Sequence, residues 1–248
     1  SRQDLPHEAH LAAIACLDGV GPARLRWLLG LGAPQQVWER IRAGLLPVGP
    51  GGPAAVDADL RTRWQRQATA LSPDEVWLRC EAGGIGVVAL GGAGYPLALS
   101  GDPEPPVVLF HRGDPDVLSG PRVAVIGTRR ATGYGRRHAA LLGRELSSAG
   151  VSVVSGLALG IDAAAHAGAL QVDGAPPVAV VGGGLDVPCP RRNRELAEQV
   201  ARRGVMVSEV PPGVPAAPWR FPVRNRVIAG LADAGSHVAS LLRIPRAD

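Results

Sequence analysis

Four short apolar runs, separated by segments with helical periodicity, constrain the fold of this chain more than any other feature of its sequence. The runs are RVAVIG, VSVVSG, PPVAVVGGG and VMVSEV, at residues 122–127, 151–156, 176–184 and 205–210. Each run has the length of a buried strand, and a helical segment separates each run from the next. A connection of this kind joins parallel neighbours, so helices must cover the sheet. The sequence therefore predicts an α/β fold with an extended Rossmann-like, doubly wound, mostly parallel sheet.

The chain before this sheet has a different pattern. Apolar residues recur at helical spacing on both sides of the turn Gly19-Val20-Gly21-Pro22, as in a helix-hairpin-helix motif. In such a hairpin the backbone N–H groups can face a DNA phosphate, although an ordinary turn in a small bundle fits the pattern equally well. We predict a small all-α domain of the helix-hairpin-helix or SAM-like type over residues 1–84, and the Rossmann-like domain over residues 85–248. Two further strands are expected, one within residues 84–99 and one at 107–111.

Composition places the chain among globular proteins, with 46% hydrophobic and 19% charged residues. No apolar stretch has the length of a membrane span, and the polar N-terminus lacks the pattern of a signal peptide. We therefore expect a cytoplasmic protein with no membrane partner. The cysteines, Cys16, Cys80 and Cys189, are far apart in sequence and lack C-x-x-C spacing, so each is expected to be a buried, inert thiol.

Glycine-bearing turns follow the predicted strands. The carboxyl ends of parallel strands share one edge of a sheet, so these turns should meet there and present backbone N–H groups to a phosphate. Glycines that simply end each strand would give the same pattern. The first turn, GTRRATGYG, lacks the G-x-G-x-x-G of dinucleotide sites, and an arginine there would block a pyrophosphate, so we expect neither NAD nor another cofactor. The candidate binding residues from these turns are Gly127, Thr128, Arg129, Arg130, Ser155, Gly156, Gly182 and Gly183.

The basic residues indicate a polyanionic ligand. All 26 are arginines, and the net charge is +4. A coding bias would explain the absence of lysine, but not the clustering of six arginines within residues 122–144 and eight within 191–226. Arginine pairs bidentately with phosphate, so a row of arginines favours successive phosphates of a strand over one mononucleotide. About a third should instead form ion pairs, with Glu195 and Glu198 as obvious partners. The candidates after the third and fourth strands are Arg191, Arg192, Asn193, Arg220, Phe221, Arg224, Asn225 and Arg226, and Phe221 is placed either to stack a base or to pack its loop.

An enzymatic function is the alternative. Asp162 and His166 lie four residues apart on one predicted helix, and nucleoside-monophosphate phosphoribohydrolases on a related fold also have a glycine-rich edge. Those enzymes carry P-G-G-x-G-T-x-x-E with a catalytic glutamate, whereas VGGGLDVP lacks both the threonine and the glutamate. An aspartate near a helix N-terminus is also stabilised by the helix dipole alone. We therefore expect a binding protein without catalytic residues or a metal site.

Five motifs occur in order: VAVIGTRRATGYGRR, VVSGLALGIDAAAHAGAL, VAVVGGGLDVPCPRRNREL, SEVPPG and FPVRNRVIAGL. Over about residues 105–231 they resemble the DNA-processing protein A family (DprA, also called Smf). The resemblance implies a non-enzymatic protein of natural transformation that binds and protects incoming single-stranded DNA, forms a homodimer and helps to load the recombinase RecA. After Ala234 the sequence departs from the family pattern, so we expect the C-terminal end of the fold to be incomplete or altered. The DNA contacts that the resemblance implies are Gly127, Thr128, Arg129, Arg191, Arg192 and Asn193.

Overall fold

The computed structural model describes residues 5–47, 56–187 and 191–233. Two of the sequence-based predictions lie outside the described residues. They are the burial of Cys189 and the altered C-terminal end after Ala234.

The first part of the chain is helical, as its apolar periodicity predicts. The helices described there are α1 (His7–Ala15), α2 (Pro22–Leu29), α3 (Pro34–Arg42), α4 (Ala58–Ala70) and α5 (Pro73–Ala82). Every residue of α1 from Ala9 to Ala15 is buried, so this helix lies in the centre of the helical part. α5 begins with a capping box, in which the Ser72 hydroxyl accepts from the Asp74 amide and the Glu75 carboxylate accepts from the Ser72 amide.

The second part alternates strands and helices. Its described strands are β1 (Ile85–Ala89), β2 (Val108–Gly113), β3 (Arg122–Ala124), β4 (Ser152–Ser155), β5 (Val178–Val180) and β6 (Val205–Ser208). Its described α-helices are α6 (Leu97–Ser100), α7 (Gly133–Ser148), α8 (Ile161–Ala169), α9 (Arg194–Arg203) and α10 (Arg220–Leu231), and two short 3-10 helices cover Pro115–Ser119 and Arg191–Asn193. All the strands that the sequence predicts are therefore present.

The six described strands form one sheet in the order β1-β2-β6-β5-β4-β3. The pairs β3–β4, β4–β5 and β5–β6 are parallel, whereas β2 pairs antiparallel with both β1 and β6. The predicted class, a mostly parallel Rossmann-like α/β sheet preceded by helices, is confirmed.

Alternate residues of each strand enter cores on opposite faces of the sheet, as the pleat requires. Val178 and Val180 of β5 pack with Ile228 of α10 on one face. Ala179, between them, belongs to the core on the other face, which includes Leu11 of α1. The helical part and the sheet thus share one hydrophobic core. β1 begins at Ile85, where we placed the start of the second domain, and the division into two domains stays a prediction.

Two glycines allow α7 and α8 to pack in close contact. A Cβ atom on Gly143 would lie 2.1 Å from the Ala165 carbonyl oxygen, and one on Gly168 would lie 1.9 Å from the Ala140 carbonyl oxygen. The two helix backbones therefore touch, which fixes the position of the first residues of α7 relative to the ends of β3 and β4.

Thiol burial and helix length can be checked within the described residues. Cys80 is buried and Cys16 is half-buried, and burial raises the pKa of Cys80 to about 11 and that of Cys16 to about 12. Both thiols are thus protonated at neutral pH, as expected for inert cysteines. Among the described helices, none combines the length and the apolar character needed to cross a bilayer.

Candidate nucleic-acid interface

The turns that follow the four parallel strands meet at one edge of the sheet. We call this edge the rim, and it comprises residues 125–132, 156–160, 181–187, 191–193 and 209–221. Side chains join these turns directly. The Asn193 amide Nδ2 donates to the Leu157 carbonyl at 2.8 Å, and Cζ of Arg129 lies 4.5 Å from the centre of the Phe221 ring. The loops therefore converge, as the parallel topology predicts.

A buried carboxylate, Asp162, holds the first two turns of the rim together. Asp162 is only 4% exposed; its Oδ1 accepts from the Gly127 amide at 3.2 Å and its Oδ2 from the Gly156 amide at 3.1 Å. These are two of the amides that we expected to bind a ligand phosphate. That expectation is corrected here, because an internal anion already occupies both donors.

Arg224 lies beneath the same turns. It is 7% exposed, and its Nη1 donates to the Gly156 carbonyl at 2.8 Å and to the Val180 carbonyl. Burial raises the pKa of Asp162, and Arg224 together with the amides opposes that rise. Its guanidinium joins the ends of β4 and β5 inside the protein, so the structure does not favour the predicted contact between Arg224 and DNA.

The glycines of the rim are required by internal packing. A Cβ atom on Gly156 would lie 2.4 Å from Nη2 of Arg224. Gly160 has a φ of +91°, and a Cβ atom there would lie 2.2 Å from the Thr128 carbonyl oxygen. At these positions glycine lets protein groups approach, rather than a ligand.

Other residues of the predicted set are also buried, which corrects the expectation that they contact DNA. The Ser155 side chain has no exposed surface, and its hydroxyl donates to the Val125 carbonyl. Asn193 is 8% exposed and is bonded to Leu157 as described above. Gly182 and Gly183 are buried beneath the segment 211–221. These residues support the rim and have almost no surface to offer a strand.

The remaining predicted residues form an exposed cationic surface. Arg129 and Arg130 follow β3, and Arg191 and Arg192 precede α9. The Thr128 hydroxyl accepts from the Arg130 amide at 3.2 Å, which fixes the turn that carries both arginines. The exposed residues of the predicted set are Gly127, Thr128, Arg129, Arg130, Arg191, Arg192 and Asn225.

Two aromatic rings lie beside arginines of the predicted set. Arg129 lies over the half-buried Phe221 ring, and Cζ of Arg220 lies 4.9 Å from the centre of the Trp219 ring. Trp219 is 64% exposed, which is unusual for so large an apolar side chain. Arg220 and Phe221 belong to the predicted set, whereas Trp219 does not. An aromatic residue beside an arginine in a proline-rich segment is a signal that could have identified it.

Arg226 and Arg220 are partly engaged within the protein. Arg226 forms an ion pair with Glu209 and donates to the Glu104 carbonyl at 2.7 Å. Burial raises the pKa of Glu209, and Arg226 opposes that rise. Arg220 donates to the Pro215 carbonyl at 2.6 Å. The charge of Arg226 is thus neutralised locally, which makes it a poor phosphate ligand.

The turn between α1 and α2 faces the rim across a cavity of about 400 Å³. The Val20 amide donates to the Leu17 carbonyl at 3.0 Å, and the Asp18 amide donates to Gln67 Oε1 at 3.1 Å. Trp64 Nε1 donates to the Asp18 carbonyl at 2.8 Å. These bonds inside the protein favour the interpretation of an ordinary helical turn over a hairpin whose amides bind phosphate.

The Asp162–His166 pair has no catalytic geometry. His166 is fully buried, and its Nε2 lies 3.1 Å from the Val178 carbonyl oxygen. Burial lowers the pKa of His166 to about 4, so the ring is neutral at pH 7 and Nε2–H donates to that carbonyl. Asp162 is held by backbone amides instead. Within the described part of the chain, no three His, Cys, Asp or Glu side chains gather in a way that could hold a metal ion.

Comparison with known proteins assigns a family to this arrangement. The family model described as DNA recombination-mediator protein A matches residues 86–240, more than half of the chain. DNA processing protein DprA of Bacillus subtilis (strain 168) is 38% identical over 151 residues, which cover 60% of this chain and 50% of that protein. The putative DNA processing protein DprA of Mycobacterium tuberculosis (strain H37Rv) is 36% identical over 230 residues, covering 89% of this chain and 57% of that protein. The chain spans about half the length of the curated relatives it matches.

Two solved structures match the fold. The X-ray structure of DNA processing protein A from Streptococcus pneumoniae has a TM-score of 0.69 and 26% identity, covering 95% of this chain and 80% of that one. A structure that addresses the single-stranded DNA binding mode of DNA processing protein A from Helicobacter pylori has a TM-score of 0.55 and 32% identity, over 60% of this chain and 66% of that one.

Proposed function

Since the chain belongs to the DNA recombination-mediator protein A family, we propose that its rim binds single-stranded DNA without sequence preference. The observation that carries this proposal is the set of exposed arginines on the converging turns, Arg129, Arg130, Arg191 and Arg192. It is accompanied by two rings, Phe221 beneath Arg129 and the exposed Trp219 beside Arg220. A single strand needs cations for its phosphates and flat faces for its bases, and the rim has both.

The distribution of arginines favours a strand over one nucleotide. Arg129 and Arg130 lie in the turn after β3, whereas Arg191 and Arg192 lie two crossovers further along the chain. Cations on separate turns can neutralise successive phosphates, which one mononucleotide does not have. Contacts to phosphates and to the ring faces of bases carry no direct sequence information, so a strand held by these contacts should be bound independently of its sequence.

The salt dependence of binding tests the role of Arg129. For a single strand, the slope of log K against log salt changes by about 0.7 for each phosphate neutralised. We expect Arg129→Ala to weaken binding to poly-dT and to make the slope shallower by about 0.7. Arg129→Lys keeps the charge but loses the planar stack on Phe221, so it should restore the slope more fully than the affinity. An unchanged slope and affinity in Arg129→Ala would exclude this residue from the site.

Comparison of poly-dT with a duplex of equal length, at matched salt, tests the preference for single strands. A single strand can place its bases on Trp219 and Phe221, whereas a duplex hides them, so we expect at least about tenfold tighter binding of poly-dT. Arg191→Glu/Arg192→Glu should remove most of the binding. The matched control is Arg63→Glu/Arg66→Glu on α4, which changes the net charge equally at exposed positions of the helical part. Equal affinity for both nucleic acids, or an equal loss in the control, would indicate a generic basic surface.

Family membership also supports two partners. We propose that the protein forms a homodimer and helps to load RecA onto the bound strand. Sedimentation analysis of the protein tests the first statement. The second is tested by measuring RecA filament formation on DNA coated with single-strand-binding protein, where Arg191→Glu/Arg192→Glu should abolish any stimulation.

The alternative, hydrolysis of nucleoside monophosphates, has less support. Both carboxylate oxygens of Asp162 accept from backbone amides that follow β3 and β4, and the side chain is only 4% exposed, so it has almost no surface to offer a substrate. Incubation with nucleoside monophosphates and detection of free base tests this alternative directly. Turnover that Asp162→Ala abolishes would support the enzyme.

A further inference from the structure

The first two turns of α7 carry an exposed ring pair that the rim does not include. Tyr134 is 50% exposed, and its ring packs on that of His138 with centroids 3.8 Å apart and planes inclined by 38°. His138 Nδ1 lies 3.0 Å from the Tyr134 carbonyl oxygen, which holds the imidazole in place. The His138 ring therefore supports one side of the Tyr134 ring, while half of the Tyr134 surface faces solvent.

The packing of α7 does not use the Tyr134 ring. The buried residues of this helix are Gly135, Ala139, Gly143 and Ser147, and this seam faces α8. Tyr134 is adjacent to the seam but half exposed. Half of the Tyr134 surface is therefore open to contact by a ligand.

The surroundings of the ring pair suit a polyanion. Arg136 and Arg137 lie on the same helix turns and are exposed, and Arg136 Nη1 donates to the Ala131 carbonyl at 2.6 Å. Residues 127–144 contain no aspartate or glutamate. The ring pair also lies at the N-terminal end of a 16-residue helix, where the helix dipole adds partial positive charge.

The ring pair is continuous with the rim. The Thr132 hydroxyl accepts from the Gly135 amide at 3.1 Å and caps α7, so the helix begins directly after the turn that carries Arg129 and Arg130. Tyr134 lies five positions after Arg129, which limits the distance between their Cα atoms to at most roughly 18 Å. A strand segment of the length that single-strand-binding folds cover, about 4–16 nucleotides, reaches both positions.

We propose that the Tyr134–His138 ring pair is a base-stacking platform that extends the path of single-stranded DNA from the rim onto the first two turns of α7. This inference rests on the proposed function, since it assigns a further subsite to the same strand. The platform binds a base by its ring face and is therefore indifferent to base identity.

The test combines protein variants with abasic DNA. The probe is dT15, together with a set of fifteen-nucleotide strands in which each position in turn is abasic. Loss of one stacked base weakens binding about fivefold or more, so Tyr134→Ala should weaken dT15 binding by that factor and Tyr134→Phe should retain most of the affinity. In the parent protein the abasic positions that lie over a stacking ring should cause a similar loss, and at one or two of them, those over Tyr134, Tyr134→Ala should cause no further loss. Leu141→Ala, which removes an exposed apolar side chain two turns further along α7, is the matched control and should bind like the parent.

The outcomes separate this inference from the proposed function. If the parent binds dT15 and Arg129→Ala weakens binding while Tyr134→Ala does not, the platform does not exist and the rim remains. If Tyr134→Ala weakens binding to every abasic strand by the same factor, or Leu141→Ala weakens it equally, stacking at Tyr134 is also excluded. If the parent does not bind dT15 at all, the proposed function itself fails. Thermal unfolding of each variant tests whether the fold is retained.

Discussion

Replacing the buried carboxylate of Asp162 tests two physical arguments that predict opposite changes in DNA affinity. Asp162→Asn preserves the shape of the side chain and removes its negative charge. If Asp162 acted mainly as a charge near a DNA site, its removal would tighten DNA binding. If it acts as the clamp that holds Gly127 and Gly156, its removal should loosen the turn that carries Arg129 and weaken binding. We expect the second result.

The size of the effect on stability follows from the bonds at Asp162. Asparagine can keep one acceptor oxygen toward the Gly127 amide, but its Nδ2 then meets the Gly156 amide, donor against donor. A hydrogen bond to a charged group contributes about 1.5–3 kcal/mol, and Arg224 also loses its buried counter-charge. We therefore expect the free energy of unfolding to fall by about 2–4 kcal/mol. With a urea m-value of about 2 kcal/mol per molar, the unfolding midpoint should fall by about 1–2 M.

Equilibrium urea unfolding, followed by tryptophan fluorescence, measures the unfolding midpoint. A dT15 titration under native conditions measures the affinity for DNA. Glu145→Gln is the control, because this carboxylate is exposed and pairs with its neighbour Arg144 at 2.8 Å. The control should shift the midpoint by less than about 0.3 M, as an exposed pair contributes little. Tighter DNA binding by Asp162→Asn, or a midpoint equal to that of the control, would refute the clamp.

Three further predictions concern buried or closely packed residues of the helices around the rim. Burial lowers the pKa of His166 to about 4 from an ordinary value of 6.5. Between these pH values the unfolded chain binds a proton that the folded chain does not, so stability falls as the pH falls. In urea titrations the free energy of unfolding of the parent should fall by about 2–3 kcal/mol more than that of His166→Gln between pH 7 and pH 4.5. Gly143→Ala should cost about 1–3 kcal/mol, measured by thermal unfolding, because its methyl group would meet the Ala165 carbonyl. Trp64→Phe loses the bond to the Asp18 carbonyl and should cost about 1 kcal/mol without changing dT15 affinity, since the α1–α2 turn is bonded within the protein; a large loss of affinity would assign that turn to the DNA site.

The framework of the fold was predictable because it depends on local patterns. The strand lengths, the helices between them and the parallel pairing follow from apolar runs such as residues 151–156 and from the length of the connections. The convergence of the turns then follows from topology alone. A local pattern of this kind does not determine which side chains of the converging turns remain exposed.

Arg129 and Arg224 show why the candidate site was only partly predictable. In the sequence both are arginines after a predicted strand. In the structure Arg129 is exposed, whereas Arg224 is directed inward to two carbonyls, because α10 crosses beneath the rim. Burial of a guanidinium depends on acceptors distant in sequence, here Gly156 and Val180, and no local pattern encodes that distance. The same holds for Asp162, whose two amide donors lie 35 and 6 residues away.

The clamp also explains how a nucleotide-type fold can suit a strand. In a dinucleotide site the amides after the first strand bind the pyrophosphate in one fixed geometry. Here Asp162 takes the Gly127 and Gly156 amides, so under the proposed function the phosphates have to be bound by side chains. Exposed arginines such as Arg130 and Arg191 can adjust their torsions to the phosphates of a flexible chain, which fixed amides cannot do. In the proposed site an internal carboxylate thus takes the place of the pyrophosphate and leaves a rigid support for adaptable cations, as the proposed binding without sequence preference requires.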